Sequence, residues 1–533
     1  MHMVLAMKKT FLSGLACLLL LGGCLDLAVE NPNSPERERA FSQPGDVVNL
    51  VTGTFQTWWL SVQGCNAMFY TTIADENSSA WANWGMRDMS SEPRIAWDNS
   101  PTYNRRGATE GPWFSSYRGI SNANDALQAV LRAEEEGPSN DFTREGFDTN
   151  KLKAFAKMNQ GLMHGTLGLY FDQAFIVDET VDLEAADLEF RPYQEVLTEA
   201  IRMLDEARAI ASSNSFSITA VEDWIWGLDV TSGDLARLLN SFVARHLVQG
   251  ARSPEERAAV NWQEVLSRLD AGITEDFSPI GDDDGNTEWD CMKFYGQNGT
   301  TWSRADYRTI GPADESGGYQ AWLAAPLKDR VVFDIVTSDR RIVGSADDVT
   351  EDGSDFQYHG NNGPFPAARG VYHYSSHNHK RYLYYNQSNA NGAMPHMTMA
   401  ELDMYRAEAL LRTGGSTAEV AALINKTRVS RGMLNPATAS DPVGSPSDAQ
   451  SHLDSASLWA KLKHERRIET FQTAGGLAWQ DDRGMGDLVP GTPIHFPVPG
   501  RELETLGEPN YTFGGVGGTG GAPTAYRDGG VDN

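Results

Sequence analysis

Met399-Ala400-Glu401-Leu402-Asp403-Met404-Tyr405-Arg406-Ala407-Glu408-Ala409 runs on through Thr413 into Gly414-Gly415-Ser416-Thr417-Ala418-Glu419. The reading of this stretch decides the fold class. Leu402, Tyr405 and Ala409 recur at helical spacing and share one face. Gly414-Gly415 stops that helix, because glycine takes the left-handed cap conformation without a Cβ penalty. Ser416 and Glu419 have the spacing of a capping box, so a second helix starts at once. Val420, Leu423, Ile424 and Thr427 of that helix face inward. The two form a tight helical hairpin.

The same pattern recurs upstream. Val47, Val51, Phe55 and Trp58 predict a first helix, and Ile120, Ala123, Leu127, Val130 and Leu131 a second. Leu152, Phe155, Met158 and Leu162 predict a third, where Gly161, Gly165 and Gly168 allow close helix approach. Tyr193, Leu197, Ile201 and Leu204 mark a fourth, and Leu235, Leu238, Leu239, Phe242 and His246 a fifth. Ser253-Pro254-Glu255-Glu256 opens a sixth, with proline at the first helical position, and Trp262, Val265, Leu266 and Leu269 continue its neighbourhood. Stacked helix pairs of this kind build solenoids such as tetratricopeptide arrays. No strict repeat recurs at a fixed period, so any repeats are degenerate. Between the helices lie long stretches rich in Gly, Asn, Asp, Ser and aromatics, at 71–117, 212–233, 272–396 and 433–456. Short strands are expected within them, for example at Val371–Tyr374 and Arg381–Tyr385. The fold class is therefore mainly α: tetratricopeptide-like helical hairpins, a large loop-rich region and a few short strands.

The start of the chain reads as a leader. Lys8-Lys9 is a short basic region and Phe11 to Leu21 an apolar one, too short to span a bilayer. Leu21-Gly22-Gly23-Cys24 then matches a bacterial lipoprotein box, which makes Cys24 the lipidated new N-terminus. Cleavage removes both lysines and no acid, so the net charge of −28 becomes −30. Such acidity excludes a nucleic-acid binder, which needs a basic footprint. It also disfavours anionic surfaces as the main partner and leaves neutral ligands open. The lipid is the only evident anchor. Cys65 and Cys291 remain, either as one bridge or as two separate buried thiols. The organisation that follows is a leader at 1–23, a lipidated tether at 24–44, and a body at 45–510 with a long insertion about 272–396. A Gly-rich mobile tail closes the chain at 511–533.

Catalytic and cofactor motifs fail in turn. No Gly-x-Ser-x-Gly, P-loop or Cys-x-x-Cys occurs. His464-Glu465-Arg466-Arg467-Ile468 lacks the second histidine of a zinc protease, since Ile468 stands in its place. Gly515-Val516-Gly517-Gly518-Thr519-Gly520 matches a dinucleotide fingerprint in letters only, with no strand before it or helix after it. His373, His377 and His379 fit no standard zinc spacing and read as surface or loop histidines. Asp282-Asp283-Asp284-Gly285-Asn286 resembles a calcium loop but lacks its glycine position and terminal Glu, so it reads as an acidic solvated turn. The expectation is no enzyme, no metal and no cofactor.

Tryptophan is the stronger signal. Six of the fourteen, Trp58, Trp59, Trp81, Trp84, Trp97 and Trp113, lie near the start. Trp58 and Trp59 sit on a helix and read as core. Trp81 and Trp84 flank Asn83 in a polar loop, where an indole face suits the apolar side of a sugar ring and an amide its hydroxyls. A second cluster, Trp289, Phe294, Tyr295, Trp302 and Tyr307, is interleaved with Asn298, Arg304 and Asp306. Trp81, Asn83, Trp84, Trp289, Tyr295 and Trp302 are the candidate ligand-binding residues.

Five C-terminal motifs, in order, carry a family resemblance. Met399–Ala409 resembles the AEA-containing helix of the SusD/RagB lipoproteins, and Leu423–Gly432 their "iNxvRxRaG" helix. Glu465-Arg466-Arg467-Ile468-Glu469 resembles their "ERRxE" helix and Asp481-Asp482-Arg483-Gly484 the "DxxR" turn after it. Phe496-Pro497-Val498-Pro499 with Glu502 resembles the closing "fPiPxxE". Ala123-Asn124, Leu169-Tyr170-Phe171 and Asp75-Glu76 agree more loosely. The resemblance implies a helical, lipid-anchored outer-membrane protein facing outward. It implies binding of an oligosaccharide or other nutrient, a lid role over a SusC-like TonB-dependent transporter, and no catalysis. It also implies that Glu465, Arg466, Arg467 and Glu469 join a partly buried ion-pair network against Asp481–Arg483, rather than a solvated face. A lipid-anchored glycoside hydrolase and a protein–protein scaffold without small ligand are the alternatives.

Overall fold

The computed structural model describes residues 43–79, 83–92, 94–183, 185, 188–282, 287–296, 303–343, 353–359, 375–513 and 516. The leader, the tether before residue 43, Val371–Tyr374, His373, Asp283–Asn286, Asn298 and nearly all of the Gly-rich tail lie outside them.

Apolar periodicity becomes helix wherever both a cap and a packing partner exist. The first long helix, α1 (Pro44–Gln63), starts at a proline and buries Val47, Val51, Phe55, Trp58 and Trp59. A short α2 (Ala67–Ile73) is buried at every position. Helix α3 (Gly107–Glu135) begins inside the stretch read as loop, because Ala108, Pro112 and Trp113 are buried and extend the face of Ile120, Ala123, Leu127 and Val130. Leu131, assigned to that face, is exposed instead.

Helix α4 (Thr149–Tyr170), capped by the Asp148 side chain, is buried from Ala154 to Tyr170. Its three glycines form a seam. A Cβ on Gly161 would lie 2.7 Å from Leu204, on Gly165 2.4 Å from His246, and on Gly168 2.8 Å from Leu197. Leu197 and Leu204 belong to α5 (Tyr193–Ser213), and His246 to α6 (Ser232–Gln249). The sixth element is two helices. Ser253 caps α7 (Pro254–Ala259), which breaks at Val260, and Asn261 caps α8 (Trp262–Asp270).

The C-terminal hairpin is α9 (Met399–Thr413) and α10 (Thr417–Arg428), with Gly414 left-handed at φ 70° and Ser416 accepting from the Glu419 amide. Helix α11 (Leu458–Glu469) packs against both. Helix α12 (Leu477–Met485) includes Asp481–Gly484, so the expected turn is helical. One large core runs through α1 to α6, α8 and α9 and reaches Phe496 and Val498. A second surrounds Tyr307, Trp322, Phe356 and Phe471, and a third lies under the hairpin.

The described strands are short and antiparallel. Strand β1 (Asn77–Ser79) pairs with β3 (Ser303–Ala305), β2 (Ile280–Asp282) with β6 (Asn391–Ala393), and β4 (Phe356–Tyr358) with β5 (His377–His379). The predicted strand at Arg381–Tyr385 is not one: Leu383–Gln387 is a helical turn. Tyr382 and Tyr385 are buried while Tyr384 is exposed, a three-residue spacing that strand alternation cannot satisfy. His377 and His379 are not surface residues either. Both are buried in β5, with the His379 ring 4.5 Å from Phe471, and burial holds that imidazole neutral by driving its pKa well down. Among the described residues no helix is long and apolar enough to cross a membrane.

Candidate functional site

Two segments far apart in sequence meet at a disulfide. Cys65 lies in the turn between α1 and α2, and Cys291 opens the short helix Cys291–Gly296. Their Cα atoms are 5.0 Å apart and the sulfurs are bonded. Met68 and Met86 are buried beside Cys291, and Trp84 and Trp289 pack half-buried on the same small cluster. Trp289, Phe294 and Tyr295 form a triad of edge-to-face contacts with centroids 5.0–6.1 Å apart. Tyr295 is 41% exposed.

The floor of this edge is polar and fully committed. The Trp59 indole N–H donates to the Trp289 carbonyl at 3.0 Å. Asp290 accepts from Gln63 at 2.9 Å and from Lys293 at 2.7 Å, and Lys293 also donates to the Thr473 carbonyl. Burial pushes the Asp290 carboxyl up and the Lys293 ammonium down. The Asp290 N–H donates to the Tyr385 hydroxyl, and Asn386 to the Phe294 carbonyl.

The other side is built from the segment after α2. Trp84 is left-handed at φ 51° and Gly85 follows at φ 77°; a Cβ on Gly85 would stand 3.3 Å from the Phe69 ring. Glycine thus permits the turn that holds Trp84 against the disulfide cluster. The β1–β3 ladder ends at Ser79↔Ser303. Trp81 follows that end in sequence and Trp302 precedes it, and both lie outside the described residues. For Asn83 the backbone alone is described, in the turn Asn83–Gly85. Glu76, just before β1, accepts from the Gln472 amide at 3.1 Å, and burial pushes its carboxyl up to about 7 against the pull of Arg467. The result is one exposed ring, Tyr295, beside two half-buried indoles, Trp84 and Trp289, and such rings are suited to stacking on the C–H side of a sugar. The charged groups beneath bind one another.

Trp84, Trp289 and Tyr295 are therefore brought together, whereas Tyr307 is not part of the edge. It is buried in the second core, stacked 4.4 Å from Phe333. Sequence reasoning left the cysteine pairing open and so missed the joint between the two aromatic segments. The signal was there: only two thiols remain beyond Cys24.

The C-terminal motif residues lie in the interior. Glu408 of α9 accepts from Arg257 at 2.8 Å, Arg412 at 2.8 Å and Arg466 at 2.7 Å. Asp481 of α12 accepts from Arg257 at 3.0 Å and Arg466 at 3.3 Å. Burial alone would raise the Glu408 carboxyl, but Arg257 and Arg466 hold it well below the usual range. Arg341 bridges Asp339, Glu465 and Glu469, and Arg467 pairs with Asp482. Among the described residues Arg483 meets no carboxylate; it donates to the carbonyls of Leu169, Gln249 and Ile494. A cavity of about 420 Å³ lies beside this network, lined by Tyr319, Gln320, Lys463, Arg467, Asp481 and Asp482. Its cations are neutralised by their neighbours, and the Tyr319 in its lining is buried.

The helical scaffold of stacked pairs is already represented among solved structures. No family model and no curated protein sequence matches the chain. A SusD superfamily protein from Bacteroides vulgatus superposes with a TM-score of 0.55 at 15% identity, covering 87% of this chain and 97% of its own. One from Bacteroides thetaiotaomicron gives 0.56 at 12% identity over 88% and 97%. A SusD-like carbohydrate binding protein from Bacteroides vulgatus gives 0.50 at 15% over 83% and 84%. The chain has a SusD-like fold.

Proposed function

We propose that this chain is a lipid-anchored outer-membrane protein that captures a glycan or related nutrient and, as a lid, passes it to a SusC-like TonB-dependent transporter. One observation carries the reading: Trp84 and Trp289–Tyr295, some two hundred residues apart, converge on one exposed edge of a SusD-like fold. Stacked aromatic faces bind sugar rings through their apolar sides, and an acidic chain suits a neutral ligand. The lipoprotein box at Cys24 supports the anchor.

The test is a tryptophan-fluorescence titration with maltohexaose, xylohexaose and mannohexaose, each alone. At least one binds, and Trp289→Ala or Tyr295→Ala weakens it about tenfold, on the order of 1.4 kcal/mol. If none binds, or both variants bind as the parent does, the glycan reading fails. Turnover of any of the three by purified protein would favour a hydrolase instead. Mild detergent extraction should bring out a large β-barrel with the chain, and Cys24→Ala should release it in soluble form.

A further inference from the structure

We infer that the Cys65–Cys291 disulfide is the positioning element of the ligand edge: it holds the Trp84 turn and the Trp289–Tyr295 segment as one surface. The inference rests on the glycan reading above for its functional consequence, but its structural content stands alone.

The cluster around the bond has three buried residues, Met68, Met86 and Cys291 itself; Trp84 and Trp289 are half-buried on it and, with Phe294, also pack against the large core. The large core supports each segment, but three buried side chains are little apolar contact to join the two directly to one another. The Trp84 turn adds strain, since a non-glycine residue at φ 51° persists only where its surroundings enforce it. The polar bonds beneath reach Trp289, Asp290, Lys293 and Phe294, and they tie that segment to α1, Thr473 and Asn386. They hold Trp289 to Phe294 against those partners and not against the Trp84 turn. In the cluster shared with Trp84, the covalent tie is the disulfide. Cys65 belongs to the turn into α2, whose Met68 packs with Met86, two residues past Trp84. The bond therefore links the support of one aromatic group to the first residue of the helix that carries the other.

The experiment compares the parent chain with Cys65→Ala/Cys291→Ala. Hydrogen exchange is followed at the amides of 291–296 and 84–90, with the α9–α10 hairpin as reference, and maltohexaose, xylohexaose and mannohexaose are titrated separately. The expected result is exchange at least tenfold faster in both segments, an unchanged hairpin, and affinity for the bound hexasaccharide at least tenfold lower. A purely structural bond would slow or speed exchange everywhere alike and leave affinity tracking global stability. Unchanged exchange at 291–296 and 84–90 overturns the inference. Faster exchange with undiminished affinity also overturns it as a positioning role. If the parent binds none of the three sugars, the glycan reading falls while the exchange result still decides the clamp. Should the double variant not fold, the parent is compared before and after dithiothreitol, which converts the disulfide to two thiols while itself closing to a cyclic disulfide.

Discussion

Glu408→Gln is the sharpest test of how the scaffold is held. The carboxylate is fully buried and accepts from three arginines on three elements, Arg257 of α7, Arg412 of α9 itself and Arg466 of α11. Asp481 shares two of them. Glutamine keeps the shape but removes the charge, leaving three guanidinium groups to one remaining carboxylate. Breaking a buried pair this way costs about 3–5 kcal/mol, chiefly because charge is left buried without compensation. Unfolding entropy near 2.1 cal/mol/K per residue puts a body of this size at roughly 1 kcal/mol/K, so Tm falls by only about 3–5 °C. The folded carboxyl is held below its unfolded value. Its contribution is therefore present above the unfolded pKa and is lost as pH falls through the folded one. The variant and the parent should accordingly converge in acid. Calorimetry at neutral pH and at pH 3 reads both effects. A Tm within 1 °C of the parent at neutral pH would refute the reasoning that this node is uncompensated when neutralised.

Three further outcomes are expected. Gly165→Ala places a Cβ 2.4 Å from the buried His246 ring and should destabilise by about 1–3 kcal/mol, read as a lower Tm. Glu76, pushed up to about 7 by burial, stabilises fully below its unfolded pKa and loses that contribution as pH rises through about 7. The stability gap between the parent and Glu76→Gln should thus shift by about 2–3 kcal/mol from pH 5 to pH 8, against the parent, in denaturant titrations. Arg341→Met removes the shared cation of Asp339, Glu465 and Glu469 and should raise susceptibility to proteolysis near residues 339–343 more than in α4.

Helices with local start and stop signals were legible. Gly414 and Ser416 announced the α9–α10 hairpin, and Ser253 announced α7, because capping satisfies backbone groups within a few residues. The start of α3 was not legible. Gly107, Gly111 and Pro112 are poor helix formers, and burial of Ala108 and Trp113 overrides them. The aromatic run at 381–385 carries β propensity, but the packing of Tyr382 and Tyr385 on one side turns it helical. The histidines of β5 looked solvated because no neighbour in sequence shows that Tyr358 packs on His377 and that Phe356 and Phe471 cover His379. The candidate edge was legible as composition only. Trp84 and Trp289 stood out as loop tryptophans, while their adjacency depends on a bond and a ladder that join distant segments, and such pairings leave no periodic trace.

The bond between Cys65 and Cys291 also bears on how faithfully the molecule matures. Cys17 and Cys24 are the only other cysteines in the chain, and both precede the folded body. The bonded pair stands 226 positions apart, and the residues between contain no competing thiol. Oxidation therefore has one intramolecular outcome within the body, with no scrambled isomer to correct. The pairing waits only until the later cysteine has emerged, so the edge that carries the aromatics is completed after α1 to α8 have been made.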